Sequence, residues 1–259
     1  MSKYRLLLVD MDGVLWRQYY VIRENIEALK ELSSRYTIVY MSNNSSRSRR
    51  EYLEKIKSIG LDAGIENIYN SGYFAARYIL DRGVSETFVI GEHGLVEELV
   101  KQGIPVTSHS DNVGYVVVGL DRYLTYSKLC RAYQYIASGA LFIATNTDHV
   151  YPVGDHYEPG AGAIVAALAV SLKKQPDFIA GKPNPWVIDI VCSEHSVSRD
   201  EILVIGDNIE TDILLGYEAG VDTMLVLTGI SRREDLEKTR YRPAYVCSNL
   251  LEAVRQGII

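Results

Sequence analysis

Asp10-Met11-Asp12-Gly13-Val14 sets two carboxylates two residues apart, directly after the apolar run Leu6-Leu7-Leu8-Val9. Along an extended strand, residues at i and i+2 point to the same side. An unbroken apolar run of this length suits a strand covered on both faces of a parallel sheet. Acids at the carboxyl end of such a strand stand where open α/β sheets bind ligands; an acidic turn without chemistry is the alternative for this pair alone. Three further segments carry the same signature. Ser42-Asn43-Asn44-Ser45 follows Ile38-Val39-Tyr40-Met41 and offers a hydroxyl and backbone N–H groups to a phosphate, or a plain helix cap by Ser45 or Ser46. Gly181-Lys182-Pro183 follows Phe178-Ile179-Ala180 and fixes a lysine just before a helix start at Asn184-Pro185. Val204-Ile205-Gly206-Asp207, with Asp212 beyond it, adds two acids at the mouth of another apolar strand.

Singly, these residues have ordinary explanations as surface charges or helix-dipole partners. Jointly, they place Asp10, Asp12, Asp207 and Asp212 at one sheet edge, where four carboxylates repel one another and resist ionisation. A divalent cation removes that conflict, and an all-oxygen site that keeps waters and a substrate phosphate favours Mg²⁺. Lys182 and the Ser42 loop then supply donors for the remaining phosphate oxygens. One carboxylate is placed as nucleophile, and its neighbour two residues on is placed to move protons.

The elements that must position these groups alternate in type. Strands are expected over 4–9, 37–41, 202–205 and 223–227, with helices over 22–32, 47–59 and 209–219 between them. Such alternation predicts an α/β fold, a doubly wound, mostly parallel sheet. The middle of the chain repeats the style, with strands at 87–90, 115–118 and 141–144 and a helix at 125–137. A strand–helix–strand crossover needs only about 30 residues, so the stretch 45–181 holds a second α/β unit inserted into the first.

Asp10-x-Asp12, Ser42, Lys182 and Gly206-Asp207-x4-Asp212, in this order, resemble the four motifs of the haloacid dehalogenase (HAD) superfamily of phosphohydrolases. Asp10 through Trp16, Ser42-Asn43-Asn44-Ser45, Thr145-Asn146-Thr147-Asp148, Pro159-Gly160-Ala161-Gly162, Gly181 through Pro185, Gly206-Asp207-Asn208 and Leu227-Thr228-Gly229 resemble its NagD-type, 4-nitrophenylphosphatase-like branch. The resemblance covers essentially the whole chain. It implies a Rossmann-like HAD core over 1–72 and 179–259, with a mobile α/β cap over 73–178. It further implies that Asp10 attacks phosphorus and becomes an aspartyl-phosphate, while Asp12 protonates the leaving oxygen and then deprotonates the hydrolytic water. Mg²⁺ would be held by Asp10, the backbone carbonyl of Asp12, Asp207 and, through water, Asp212. Ser42, Asn43 and Lys182 would bind the phosphoryl oxygens, with Asn44 in the same loop. Ser42 stands where the family most often has Thr and keeps the hydroxyl.

In the cap, Thr145, Asn146 and Asp148 end a strand and are the candidates for touching the leaving group; an Asn/Asp turn bonded within itself is the duller reading. Ser46-Arg47-Ser48-Arg49-Arg50 either draws anionic substrates or is a solvated face. Tyr126, Tyr133 and Tyr135 offer a helical face for a second subunit, and the resemblance implies a homodimer through the cap. The five histidines show no metal-ligand spacing.

The 259 residues carry a formal charge of -6, which argues against nucleic acid as a partner and fits a small phosphate monoester. Cys130, Cys192 and Cys247 are few and scattered, which points to a reducing compartment. The first apolar run ends at Asp10, earlier than a signal peptide requires. The run Ala161–Leu172 is shorter than the roughly 18–20 residues that span a bilayer. A cytoplasmic enzyme without membrane attachment is therefore expected. The competing readings are a phosphotransferase or phosphomutase of the same fold, and a non-catalytic phosphate-ligand sensor.

Overall fold

The computed structural model describes residues 3–153 and 156–259. The chain clusters into two compact units: Met1–Ser42, Leu53–Tyr69 and Lys182–Ile259 form the first, and Asn43–Tyr52 with Asn70–Gly181 the second.

In the first unit, strand Leu6–Asp10 is buried along its whole length, as a strand covered on both faces must be. It pairs in parallel with Ile202–Gly206 on one side and Thr37–Ser42 on the other. Asp222–Val226 and Tyr245–Cys247 extend the sheet beyond Ile202–Gly206, also in parallel, and Ile68–Asn70 lies outside Thr37–Ser42. The chain thus leaves Leu6–Asp10 towards one edge and returns on its other side only after the second unit. That reversal makes its carboxyl end a topological switch point. The register fixes what gathers there. Val9 pairs with Ile205 and Asp10 with Met41, so Ser42 and Asp207 leave the same edge as Asp10. Helix Arg23–Leu32 buries Ile26, Ala28, Leu29 and Leu32, a stripe at helical spacing. This is the expected Rossmann-like α/β arrangement.

The second unit has its own four-stranded sheet, ordered Phe178–Ile179, Leu141–Ala144, Val113–Val118 and Glu86–Ile90, with every neighbouring pair parallel. Phe88, Val116, Val118 and Phe142 meet Ala132 and Ile136 of helix Tyr126–Ala137 and Ile164, Val165 and Leu168 of helix Ala161–Leu172 in one core. Compared with the division expected at 72/73 and 178/179, this unit also takes in 43–52, 70–72 and 179–181. Phe178–Ile179 is an edge strand of its sheet. Segment 43–52 is tied to it by Ser45 Oγ to Thr145 Oγ1 at 3.2 Å and by Arg49 N to Glu98 Oε1 at 2.6 Å. The tyrosines of helix Tyr126–Ala137 do not share a face: Tyr126 and Tyr133 are exposed, whereas Tyr135 packs on Phe88 with ring centroids 5.3 Å apart. Among the described residues, no helix is long and apolar enough to cross a membrane.

Candidate active site

Asp10, Asp207 and Asp212 are buried, and each offers a carboxylate oxygen within 4.8 Å of the other two. Strand register delivers the first two. Asp212 arrives by a different route. Both Asp212 N, at 2.9 Å, and Ile213 N, at 3.3 Å, donate to the Asn208 carbonyl, so the chain makes one wide π-type turn over Ile209–Ile213 before Leu214–Ala219 closes into regular helix. Such turns recur at functional sites. This one turns Asp212 back towards the strand end, where its Oδ2 accepts from Asn208 N at 3.1 Å. The regular helix expected over 209–219 therefore holds only in its second half.

Lys182 is 3% exposed and donates to Asp10 Oδ1 and, at 2.6 Å, to Asp212 Oδ1. Its peptide bond to Pro183 is cis. Burial alone would favour a neutral amine, but the two carboxylates outweigh it and hold the ammonium charged. Asp10 is pushed well above the ordinary carboxylate range, first by burial and then by Asp212, Asp207 and Asp12, against the opposing pull of Lys182. Burial and Asp212 raise Asp207 from 3.8 to about 7, although the Ile230 amide and Lys182 oppose them. Three buried carboxylates against one ammonium leave an excess of negative charge on oxygen donors alone. That donor set fits a hard divalent cation.

The Thr228–Ser231 loop holds Asp207 from behind. Ile230 N donates to its Oδ2 at 2.6 Å and Ser231 N to its carbonyl at 3.0 Å. Gly13 has φ +89°, and a Cβ there or at Gly229 would lie within the Asp207 carboxylate; close approach excludes any side chain at either position. Sequence reasoning assigned this loop no role, because a backbone N–H leaves no mark in residue type. The only signal was the Thr228-Gly229 pair. Buried Asn25 was also missed; it joins the acidic loop to two distant segments through Val14 O at 2.8 Å, Thr228 Oγ1 at 3.3 Å and Leu250 N at 2.7 Å.

The Asp12 side chain stands apart from the buried triad. It is exposed, accepts from Trp16 Nε1 at 2.8 Å and meets Ser42 Oγ at 3.4 Å. The site thus combines a buried carboxylate paired with an ammonium and a separate, exposed carboxylate.

In the second unit, the predicted substrate contacts bond to one another. Asn43 Nδ2 donates to both Asp148 oxygens at 3.2 Å, Asp148 N to Asn146 Oδ1 at 3.0 Å, and Asn146 Nδ2 to the Asn43 carbonyl at 2.8 Å. Thr145 is fully buried. Asn44 Oδ1 accepts from Ser46 N at 2.9 Å, a local turn. Arg47 and Arg50 are exposed, whereas the Arg49 guanidinium lies 4.0 Å from the centroid of the Tyr73 ring.

A family model described as haloacid dehalogenase-like hydrolase matches residues 7–105, and a HAD-hydrolase-like model matches 179–253. The acid sugar phosphatase of Staphylococcus haemolyticus (strain JCSC1435) is 33% identical over 258 residues, 99% of this chain and 97% of that protein. Among solved structures, the p-nitrophenyl phosphatase from Archaeoglobus fulgidus superposes with a TM-score of 0.93 at 32% identity, covering 98% of this chain and 100% of that one. NagD from E. coli K-12 superposes with a TM-score of 0.88 at 29% identity, covering 97% and 98%. Strand-end acids, sheet order and relatives agree: the chain belongs to the haloacid dehalogenase-like hydrolases, in their NagD-type branch.

Proposed function

We propose that this protein is a Mg²⁺-dependent phosphatase that hydrolyses small phosphate monoesters through an aspartyl-phosphate on Asp10. The observation that carries the reading is the buried Asp10–Asp207–Asp212 group bonded to Lys182, with the separate, exposed Asp12 beside the Ser42 hydroxyl. Asp10, Asp207, Asp212 and the backbone carbonyl of Asp12 would hold the cation, which supplies charge neutralisation and alignment for the phosphoryl oxygens. Lys182 holds Asp10 in place and adds a fixed positive charge; with Ser42 and the Asn43 backbone it receives the phosphoryl oxygens. An Asp10 oxygen bonds to phosphorus as the ester P–O bond breaks, and Asp12 gives its proton to the departing oxygen. Water then attacks phosphorus, its proton passes to Asp12, and the Asp10–phosphorus bond breaks to release inorganic phosphate. A general acid supplies about 10²–10⁴ in rate, whereas monoester hydrolysis calls for up to about 10²¹. Most of the acceleration therefore belongs to the charged groups around Asp10.

The second unit serves as the cap that selects the leaving group; Thr145, Asn146 and Asp148 would act there only by giving up the bonds they make within that unit. Relatives named for sugar phosphates and for p-nitrophenyl phosphate support alkyl and aryl monoesters as the substrate class. The three free cysteines support a reducing, cytoplasmic setting. Exposed Tyr126 and Tyr133 support a cap-mediated homodimer. The deciding experiment follows acid-stable ³²P on the protein and phosphate release from 4-nitrophenyl phosphate, with and without EDTA. Wild type should turn over only with Mg²⁺, Asp10→Asn should neither label nor turn over, and Asp12→Ala should label but hydrolyse very slowly. Robust turnover by Asp10→Asn protein refutes the assignment.

A further inference from the structure

An exposed carboxylate samples several rotamers, whereas misplacing a reacting group by an ångström can cost about a hundredfold in rate. Asp12 therefore needs a restraint, and the indole of Trp16 provides one. Trp16 is 1% exposed, and its Nε1–H donates to Asp12 Oδ1 at 2.8 Å. The ring itself is pinned, with Lys55 Nζ lying 3.6 Å from its centroid, a cation–π contact. The loop carrying it is bonded to itself: Gly13 N donates to Trp16 O at 2.7 Å and Leu15 N to Met11 O at 2.8 Å. Trp16 also pairs with Val21 in a short antiparallel hairpin. With Oδ1 held by the indole, the other oxygen of Asp12 faces Ser42 Oγ.

We propose that Trp16 is a positioning residue for Asp12: its N–H holds Oδ1, so that Oδ2 alone gives and takes the proton. This rests on the reading of Asp12 as the acid–base group. In the first half-reaction the proton on Oδ2 goes to the departing oxygen as the ester bond breaks. In the second, the same Oδ2 receives the proton of the attacking water. One oxygen in one orientation serves both steps.

Trp16→Phe keeps an aromatic ring for Lys55 but removes the donor together with part of the buried indole, a packing loss that falls on both esters alike. kcat/KM for two esters is the readout, because 4-nitrophenolate leaves as a stabilised anion while the alkoxide of glycerol phosphate needs a proton. For glycerol phosphate the value should fall by about 10–100-fold, inside the range of general-acid contributions; for 4-nitrophenyl phosphate it should fall by less than about threefold. In an Asp12→Ala background Trp16→Phe should cost nothing further, since the group it positions is gone. Equal losses on both esters, or the same loss with and without Asp12, overturn the proposal. If Trp16→Phe protein does not fold, site-specific replacement of the indole by benzothiophene keeps the ring shape without the donor and is held to the same outcomes. Asp12→Ala separates the two levels of inference. If it fails to discriminate the esters, the reading of Asp12 falls; if it discriminates and the Trp16 variants do not, only the positioning role falls.

Discussion

Replacing Asp207 by Asn should stabilise the chelated protein at neutral and higher pH while abolishing its activity. The carboxyl ionises at 3.8 in an unperturbed chain and at about 7 in the fold, because burial and Asp212 disfavour the anion. Below the lower value both folded and unfolded chains hold the proton, and ionisation carries no penalty. Between the two values the unfolded chain releases its proton first, so folding stability falls as pH rises. Above about 7 the full penalty stands. One pKa unit corresponds to about 1.4 kcal/mol, so the interval amounts to about 4 kcal/mol. Asp10 shifts in the same direction, from burial and the neighbouring carboxylates, and adds to the slope. For a chain of this size 1 kcal/mol moves the melting temperature by about 2–4 °C, so the penalty is worth about 10 °C.

The assay is urea or thermal unfolding of wild type and Asp207→Asn in EDTA from about pH 4 to pH 8, compared as a difference so that groups remote from Asp207 cancel; Asp10, which the Asp207 charge raises, is relieved in the variant and acts in the same direction. Asparagine keeps an oxygen that can accept from Ile230 N. The variant should be more stable by up to about 4 kcal/mol near pH 8, and the two proteins should converge near pH 4. Mg²⁺ should then stabilise wild type far more near pH 8 than near pH 5, where protons compete for the same oxygens, and leave the variant almost unmoved. If Asp207→Asn is less stable than wild type near pH 8 in EDTA, or if the difference does not change with pH, the charge-repulsion argument for a cation site is wrong.

Asn25→Ala should cost about 3 kcal/mol in urea unfolding, because it strands a buried carbonyl at Val14 and a buried amide at Leu250; a loss below about 1 kcal/mol would mean that water replaces the side chain. In the second unit, Phe142→Ala should cost about 3–5 kcal/mol as a cavity in a fully packed core. Phe142→Leu should cost less than half of that, and equal losses would show that the site collapses around the deletion.

Much of this architecture is legible in sequence for one reason: each chemical group follows a short apolar strand. A parallel sheet with a fixed register turns "just after the strand" into a common location, so Asp10, Ser42 and Asp207 leave one edge although the chain separates them widely; Lys182 follows a strand of the other sheet and joins them through its bonds to Asp10 and Asp212. The strand patterns over 37–41, 141–144 and 202–205 differ from the observed strands by one residue at most. Helix starts were harder to read. The helical pattern reads from 47, but Ser48 and Glu51 bond reciprocally, Ser48 N to Glu51 Oε2 at 2.8 Å and Glu51 N to Ser48 Oγ at 3.4 Å. That capping box starts the helix at Arg49. The wide turn that redirects Asp212 has no compositional mark, because its residues suit an ordinary helix equally well.

The residues around the reacting groups expose a deeper limit. Trp16 enters the sequence reading only as the end of the Asp10–Trp16 stretch, with no task of its own; it is buried, and the direction of one N–H gives it one. The Asn43–Asn146–Asp148 group presents the converse. Its residue types suit a polar substrate, yet the donors and acceptors are engaged with one another and bind the 43–52 segment to its own unit. Asn and Asp do either job with the same atoms, so composition and spacing cannot separate a ligand contact from a structural tie. What separates them is whether the hydrogen-bonding capacity is already met inside the fold, and that depends on partners about a hundred residues away.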